Sequence, residues 1–156
     1  MALTSPIVPS LWFDGVALEA VEFYVATFPD SEIKFVARYP EEGLLDFQAH
    51  LAGKPLSVEF TLNGQPFTAI NAGPEFHFTE AISFVVACED QDEIDRYWAA
   101  LSSVPDAEAC GWCKDRYGLS WQIVPANMGE LMAQPGAYGR MMSMKKLDIA
   151  GLRGDA

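Results

Sequence analysis

Lysine and arginine are scarce in this sequence, which has 10 of them against 22 aspartates and glutamates and a formal net charge of −12 at pH 7. Proteins that bind nucleic acid use clustered cationic side chains to displace counterions from the phosphates. The charge therefore argues against nucleic acid as a partner, and anionic membranes are disfavoured for the same reason. An acidic surface favours solubility, and a cationic ligand is a minor alternative.

Cysteines and long apolar runs are also few. Three cysteines, an odd number, fit a reducing compartment better than a disulfide framework. No uninterrupted apolar run approaches the roughly 20 residues that a membrane-spanning helix needs. The first residues, Met1 to Pro6, lack the basic stretch and apolar core of a signal peptide. We therefore expect a cytoplasmic protein with no membrane partner.

Several motifs that carry chemistry are missing. The sequence has no GxSxG and no glycine-rich phosphate loop, which disfavours a hydrolase and a dinucleotide-binding enzyme. His50 and His77 match no zinc-finger spacing. Cys110 and Cys113 form a CxxC pair, but a turn and a strand are predicted after it, where a redox pair needs a helix to activate its thiolate. Two ordinary, partly buried thiols are the favoured interpretation.

Half of the 156 residues are hydrophobic and 12% are aromatic, which is enough for a folded core. We expect one domain spanning 1–156. Apolar and helical patterns at the beginning of the chain predict a buried strand, a helix and a second strand, at 7–13, 17–28 and 33–39.

The clearest local pattern is a hairpin. Apolar residues from Leu56 to Leu62 alternate with polar ones, which predicts a strand with one buried face and places Glu59 on the wet face. Asn63-Gly64 then supplies a tight turn that pairs 67–71 against this strand. The segment 41–55 is ambiguous, because its alternating apolar residues suggest a strand whereas its two glycines mark turns.

The second half repeats the beginning. It predicts a strand at 82–88, a helix that starts within the acidic run 89–93, extended segments at 110–114 and 119–124 around a turn at 115–118, and a last helix within 138–152. This weak internal repeat indicates two modules, at about 5–74 and 75–126, followed by a tail at 127–156. Two such halves could pair their sheets around a common concavity.

Several runs together resemble one family: LWFDG at 11–15, EAVEFY at 19–24, AISFVV at 81–86, CGW at 110–112, KDRYGLSWQIVP at 114–125 and MKKLDI at 144–149. They are similar to the PhnB-like family, often labelled 3-demethylubiquinone-9 3-methyltransferase, within the vicinal oxygen chelate (glyoxalase / bleomycin-resistance / dioxygenase) superfamily. The resemblance implies an α+β glyoxalase-like fold. In this fold two paired βαβββ modules form a curved mixed sheet around a cup, with a C-terminal helix, and a homodimer usually completes it.

The resemblance also bears on cofactors. Enzymes of the superfamily typically hold a divalent metal through histidine and glutamate, but the matching positions here are Val8, Ala81, Asn71 and Gln122. Two amides without a histidine or carboxylate make a poor site for a divalent ion, so a metal is possible but disfavoured. No other cofactor is predicted, because nothing resembles a conventional S-adenosylmethionine loop.

Strand alternation predicts that the cup is lined by Ser10, Trp12, Phe67, Ala69, Asn71, Ser83, Ser120 and Gln122. This surface suits a small, partly apolar molecule, with Trp12 stacking on it and Asn71 and Gln122 orienting it through hydrogen bonds. The first hypothesis is therefore a small-molecule-binding protein. The alternative is an enzyme, either a metal-assisted isomerase or dioxygenase or a 3-demethylubiquinone 3-methyltransferase-like transferase, and no catalytic residue is assigned.

Overall fold

The computed structural model describes residues 5–155, and the chain divides into two compact units between His77 and Phe78. Each unit contains one mixed sheet and the helices that pack on it, so the protein is α+β. None of the helices among the described residues combines the length and the hydropathy that crossing a bilayer requires.

The first unit is a βαβββ module. β1 pairs in parallel with β4, β4 pairs antiparallel with β3, and β3 pairs antiparallel with β2. The sheet order is therefore β1-β4-β3-β2. The elements are β1 (Ser10–Asp14), α1 (Ala17–Thr27), β2 (Glu32–Arg38), a 3-10 helix (Asp46–Leu51), β3 (Pro55–Leu62) and β4 (Gln65–Ala72).

The hairpin between β3 and β4 confirms the sequence prediction. Leu62 pairs with Gln65, so only Asn63 and Gly64 form the turn, with φ of 49° and 77°. Two successive positive φ angles are typical of a type I′ turn, whose twist matches that of the strands it joins. The alternate residues of β3, from Val58 to Leu62, are buried as the pattern predicts.

One prediction in this unit is wrong in detail, and the structure resolves one segment that the sequence left ambiguous. The first strand begins at Ser10, whereas Ile7 is largely exposed. The segment 41–55 contains a 3-10 helix instead of a strand, because its ends are tied together by hydrogen bonds between Tyr39 and the backbone of Lys54 and Gly53. The segment therefore closes on itself between β2 and β3.

The second unit has the sheet order β5-β7-β6, with β5 parallel and β6 antiparallel to the central β7. Its sheet has three strands among the described residues, one fewer than the expected βαβββ module. The chain makes a tight turn at Cys110-Gly111 and forms a single bridge there, between Ala109 and Trp112. The elements are β5 (Ser83–Cys88), α2 (Gln91–Leu101), a 3-10 helix (Pro105–Ala107), β6 (Trp112–Lys114), β7 (Ser120–Pro125), α3 (Met128–Met132), α4 (Ala137–Met142) and α5 (Ile149–Arg153).

The acidic run at the start of α2 has a structural role. The Asp90 side chain accepts a hydrogen bond from the backbone N–H of Glu93 at 2.9 Å, and the Glu93 carboxylate accepts one from the N–H of Glu89 at 2.7 Å. These bonds satisfy backbone donors that the first turn of a helix leaves free. The acidic run therefore begins the helix, as predicted.

The single tail helix predicted within 138–152 is wrong, because the tail forms three short helices around a buried cluster of Leu131, Leu147 and Leu152. The carbonyls of Met144 and Lys145 accept hydrogen bonds from the N–H groups of Cys110 and Gly111, each at 2.8 Å. Carbonyls used in this way interrupt the helical pattern between α4 and α5.

A glutamine at the start of α2 holds this tail. The Gln91 amide donates to the carbonyl of Leu147 at 3.0 Å and accepts from the N–H of Ile149 at 2.9 Å. Lys146 forms an ion pair with Asp95 at 2.6 Å, which lowers the pKa of that carboxyl through the hydrogen bond from Lys146 and a second one from Gln91. The tail is therefore an integral part of the second unit.

Candidate functional site

Each sheet has one face that packs against a helix. In the first unit α1 covers the face formed by Leu11, Phe13, Val58 and Phe60, which are all buried. The opposite face, which we name the front face of the first sheet, consists of Ser10, Trp12, Asp14, Glu32, Phe35, Ala37, Pro55, Ser57, Glu59, Thr61, Pro66, Thr68, Ile70 and Ala72. No residue of this face is fully buried, so it is the surface of the unit that can accept a ligand.

Trp12 is fixed in place on the front face. Its indole N–H donates to the carbonyl of Gly73 at 2.9 Å, and the ring of Phe76 meets it edge-on with centroids 4.8 Å apart. The ring is only partly buried, and its polar group is already satisfied. Trp12 therefore offers a rigid aromatic surface that loses little conformational entropy when a ligand stacks on it.

A row of four side chains crosses the front face beside Trp12. Ser10 pairs with Thr68, Thr68 pairs with Glu59, and Glu59 pairs with Phe35. The prediction that Glu59 lies on the wet face is confirmed, since Val58 and Phe60 on either side of it face α1. Sequence reasoning missed Phe35, Thr68 and Ile70, which belong to this surface.

Three residues that were predicted to line the cup lie on the other face. Phe67, Ala69 and Asn71 are buried under α1, and Phe67 stacks on Phe60 with ring centroids 5.5 Å apart. The two-residue turn fixes this arrangement, because pairing across it places Phe67 directly opposite buried Phe60. The turn signal could therefore have revealed the correct face.

Asn71 has a structural role on this covered face. Its side-chain oxygen accepts from the N–H of Ala17 at 3.0 Å, and its side-chain nitrogen donates to the carbonyl of Pro55 at 2.9 Å. Its backbone carbonyl accepts from the hydroxyl of Tyr39 at 2.7 Å. Asn71 therefore joins the start of α1 to β3 and is not placed to orient a ligand on the front face.

In the second unit α2 packs on the face that contains Trp121, Ile123 and Cys113. The face opposite α2, which we name the front face of the second sheet, contains Ser83, Val85, Trp112, Lys114, Ser120 and Gln122. The three predicted residues Ser83, Ser120 and Gln122 therefore share one face.

Gln122 is oriented by a neighbour on this front face. Its side-chain nitrogen donates to the hydroxyl of Ser83 at 2.8 Å, and among the described residues none donates to its side-chain oxygen. Gln122 is half-buried, whereas Ser120 is almost completely buried. The Gln122 oxygen is thus an available hydrogen-bond acceptor, and Ser120 is a weaker candidate for ligand contact.

The turn before β7 is organised by a buried carboxylate. Asp115 is 1% exposed. One of its oxygens accepts from the N–H groups of Tyr117 and Leu119 at 2.8 and 3.1 Å, and the other accepts from the indole N–H of Trp121 at 2.9 Å. Asp115 therefore fixes the start of the strand that carries Gln122.

The CxxC pair does not have the geometry of a redox site. Cys113 is buried, and desolvation followed by the nearby charges of Asp115 and Glu108 raises the pKa of its thiol to about 12. Cys88 is also buried, and desolvation raises the pKa of its thiol to about 12. No helix starts at Cys110 or Cys113, so nothing there promotes a thiolate.

The residues at the superfamily's metal positions do not fit a divalent ion. Val8 and Ala81 have no donor atoms, Asn71 uses both ends of its amide on the covered face, and Gln122 offers one neutral oxygen. Hard divalent cations prefer several carboxylate or carbonyl oxygens together, and transition-metal ions such as Zn²⁺ or Ni²⁺ prefer imidazole or thiolate ligands. Within residues 5–155 no three histidine, cysteine, aspartate or glutamate side chains are grouped as ligands. This donor set therefore does not suit metal-assisted chemistry.

Comparison with known proteins identifies the family. The family model of 3-demethylubiquinone-9 3-methyltransferase matches residues 5–124, which is well over half of the chain. The chain belongs to this family. The PhnB protein of Bacillus cereus is 36% identical over 77% of this chain and 99% of its own, with a TM-score of 0.63.

A more distant solved structure shows the same fold. Protein PA1353 of Pseudomonas aeruginosa is 19% identical, covers 78% of this chain and 98% of its own, and has a TM-score of 0.55. No curated protein matches the chain. The comparisons confirm the predicted PhnB-like family and glyoxalase-like fold, and they establish no specific activity for this member of the family.

Proposed function

We propose that this PhnB-like protein binds a small, partly apolar molecule on the front face of its first sheet. The observation that carries the proposal is Trp12, whose ring is held by the carbonyl of Gly73 and by Phe76 on a face that no helix of its unit covers. Aromatic side chains without a buried packing role commonly provide the apolar surface of ligand sites. Ile70, which pairs with Trp12, extends the apolar area.

The front face of the second sheet, considered by itself, offers a separate polar group for ligand contact. Gln122 is oriented by Ser83 and has a side-chain oxygen available to accept a hydrogen bond. A polar group of this kind can set the orientation of a small molecule that contacts its own sheet. Binding without chemical conversion is the activity that these residues support best.

We expect the neutral aromatic probe 1-naphthylmethanol to bind the protein and Trp12→Ala to weaken this binding at least about fivefold, the effect of losing roughly 1 kcal/mol of aromatic contact. NMR titration that follows the tryptophan indole signals would measure both. Tyr138→Ala, which removes an exposed aromatic ring from α4, is the matched control and should leave the affinity unchanged. Equal affinities of the wild type and the Trp12 variant would contradict the proposal.

The family name favours a second function, methyl transfer. A transferase must bind its methyl donor, and a ligand present at 100 times its dissociation constant stabilises a folded protein by about 2.7 kcal/mol. A thermal-shift measurement with S-adenosylmethionine and with its demethylated product therefore separates the two functions. Stabilisation by both compounds would support the transferase function. Absence of stabilisation by either compound would support ligand binding without methyl transfer.

We also propose that the protein is a homodimer. β5 is an edge strand of the second sheet. The side chain of Val85 on this strand is 60% exposed, and that of Ile82 just before the strand is 67% exposed. Exposed apolar residues on a strand edge favour association with another chain. Sedimentation equilibrium should give twice the chain mass of 17.1 kDa. Val85→Lys should shift the protein towards the monomer, and a monomeric wild type would contradict this proposal.

A cytoplasmic location completes the proposal. The three cysteines are free, and two of them are buried as thiols, which fits a reducing compartment. Fractionation of cells that express the protein at its natural level would test this location, and recovery from an extracytoplasmic fraction would contradict it.

A further inference from the structure

We propose that the molecule bound at the front face of the first sheet carries a positively charged nitrogen, and that Glu59 recognises this charge. The inference rests on the proposed function, because it assigns a ligand class to the same face. Strand alternation predicted only that Glu59 lies on the wet face of β3. The inference adds that Glu59 determines the specificity of the site.

The carboxylate of Glu59 lacks a partner in the described part of the chain. It is partly buried in the middle of the sheet, and no hydrogen bond or ion pair joins it to any residue from 5 to 155. A carboxylate that is partly buried without a partner loses part of its hydration and gains no hydrogen bond in exchange. Such a group is therefore poised to gain more from a cationic ligand than a fully hydrated surface carboxylate would.

The cations nearest in sequence on the neighbouring strand are engaged elsewhere. Lys34 forms an ion pair with Glu32 on its own strand, and Arg38 donates to the carbonyl of Gly53 at 3.2 Å. By register, Arg38 stands opposite Pro55 at the end of the front face. Within residues 5–155 neither Lys34 nor Arg38 is bonded to Glu59, so the carboxylate remains available to a cationic ligand.

The surroundings of Glu59 suit an organic cation better than a metal ion. Its cross-strand neighbours are the ring of Phe35, which is 45% exposed, and the hydroxyl of Thr68. Aromatic rings attract organic cations, and a hydroxyl can add one hydrogen bond. A metal ion would require several more oxygen ligands, which this row does not provide.

The spacing on the sheet defines the size of the ligand. Trp12 lies two strands away from Glu59, and the two residues are also offset by two residues along the strand direction. Together these offsets separate their backbone positions by about 10–12 Å. Ile70 lies between them in the register. A molecule with an aromatic or apolar body and an amine at one end spans this distance, whereas an anionic molecule of the same size would be repelled by Glu59.

Three probes with one skeleton test the inference: 1-naphthylmethylamine, which is an ammonium at pH 7, 1-naphthylmethanol and 1-naphthoate. In the wild type we expect the ammonium to bind about tenfold more tightly than the alcohol, because it gains one charge-assisted hydrogen bond. We expect the carboxylate to bind most weakly of the three. Glu59→Gln should reduce the preference for the ammonium to about twofold or less and leave the affinity for the alcohol unchanged. Calorimetric titration at low salt measures each affinity.

Glu22→Gln is the matched control, because Glu22 is exposed on α1 and its loss changes the net charge by the same amount. An equal loss of preference in both variants would overturn the inference, since it would show a general charge effect. The wild type could also bind the ammonium and the alcohol with equal affinity while its binding of the alcohol still depends on Trp12. This result would overturn the inference of a cationic ligand but would agree with the proposed function. Failure of both probes to bind would count against the proposed function as well.

Discussion

Asp115→Ala is expected to lower the free energy of unfolding of the second unit by about 3–5 kcal/mol, because three donors lose their shared acceptor. The Asp115 carboxylate is 1% exposed and accepts from the N–H groups of Tyr117 and Leu119 and from the indole of Trp121. Burial limits the water that could replace it. Urea denaturation followed by hydrogen exchange at the Tyr117 and Leu119 amides would measure the loss and locate it.

Two further variants separate this network from a general effect of charge. Asp106→Ala removes an exposed carboxylate from the neighbouring 3-10 helix and should change stability by less than about 0.5 kcal/mol. Asp115→Asn keeps one acceptor oxygen but points an N–H of its amide towards the indole N–H of Trp121. This substitution should therefore lower the free energy of unfolding less in a Trp121→Phe background than in the wild type. Similar losses for Asp115→Ala and Asp106→Ala would contradict the structural role of Asp115.

Asn71→Ala is expected to destabilise the first unit by about 2–4 kcal/mol, because it leaves a buried donor and a partly buried acceptor without partners. The donor is the N–H of Ala17 at the start of α1, and the acceptor is the carbonyl of Pro55 in β3. Equilibrium denaturation would measure the change. Asn127→Ala is the control, since Asn127 is exposed and its side chain makes no capping bond to α3.

The charge of the side chain at this position provides a second test. Asn71→Asp keeps the acceptor for Ala17 but places a carboxylate oxygen against the Pro55 carbonyl. A protonated carboxyl can still donate to that carbonyl, so this variant should lose stability as the pH rises from 4 to 7.5 relative to the wild type. If Asn71 instead served a ligand, both variants would keep their stability and lose only binding.

Much of the local structure followed from short segments of sequence. Asn63-Gly64 fixed the hairpin and its register because both residues tolerate positive φ, and two-residue turns of this type permit one pairing of the strands. The acidic residues around Asp90 correctly marked the start of α2, because their side chains cap the helix they precede. These features depend on residues that are only a few positions apart, so they could be predicted from the sequence alone.

The face of β4 was more difficult to predict. Both of its alternating sets contain apolar residues, so periodicity did not distinguish the covered face from the front face. Asn71 was predicted to face a ligand because strand alternation placed it in the cup and because it lies near a metal position of the superfamily. Its two partners, Ala17 and Pro55, are 54 and 16 residues away, so no local pattern could reveal that its amide was already satisfied.

By itself the sequence determined the order of most strands and helices, because periodicity, turns and caps act over short distances. Its resemblance to the PhnB-like family supplied the family and the α+β class. The tertiary structure alone decided that the amide of Asn71 is used within the first unit, that the segment before β3 closes on itself, and that Cys110 and Gly111 divide the tail into short helices. The physical reason is common to all three: a hydrogen bond between distant backbone groups or side chains outweighs a local preference, and such bonds exist only once the chain has folded.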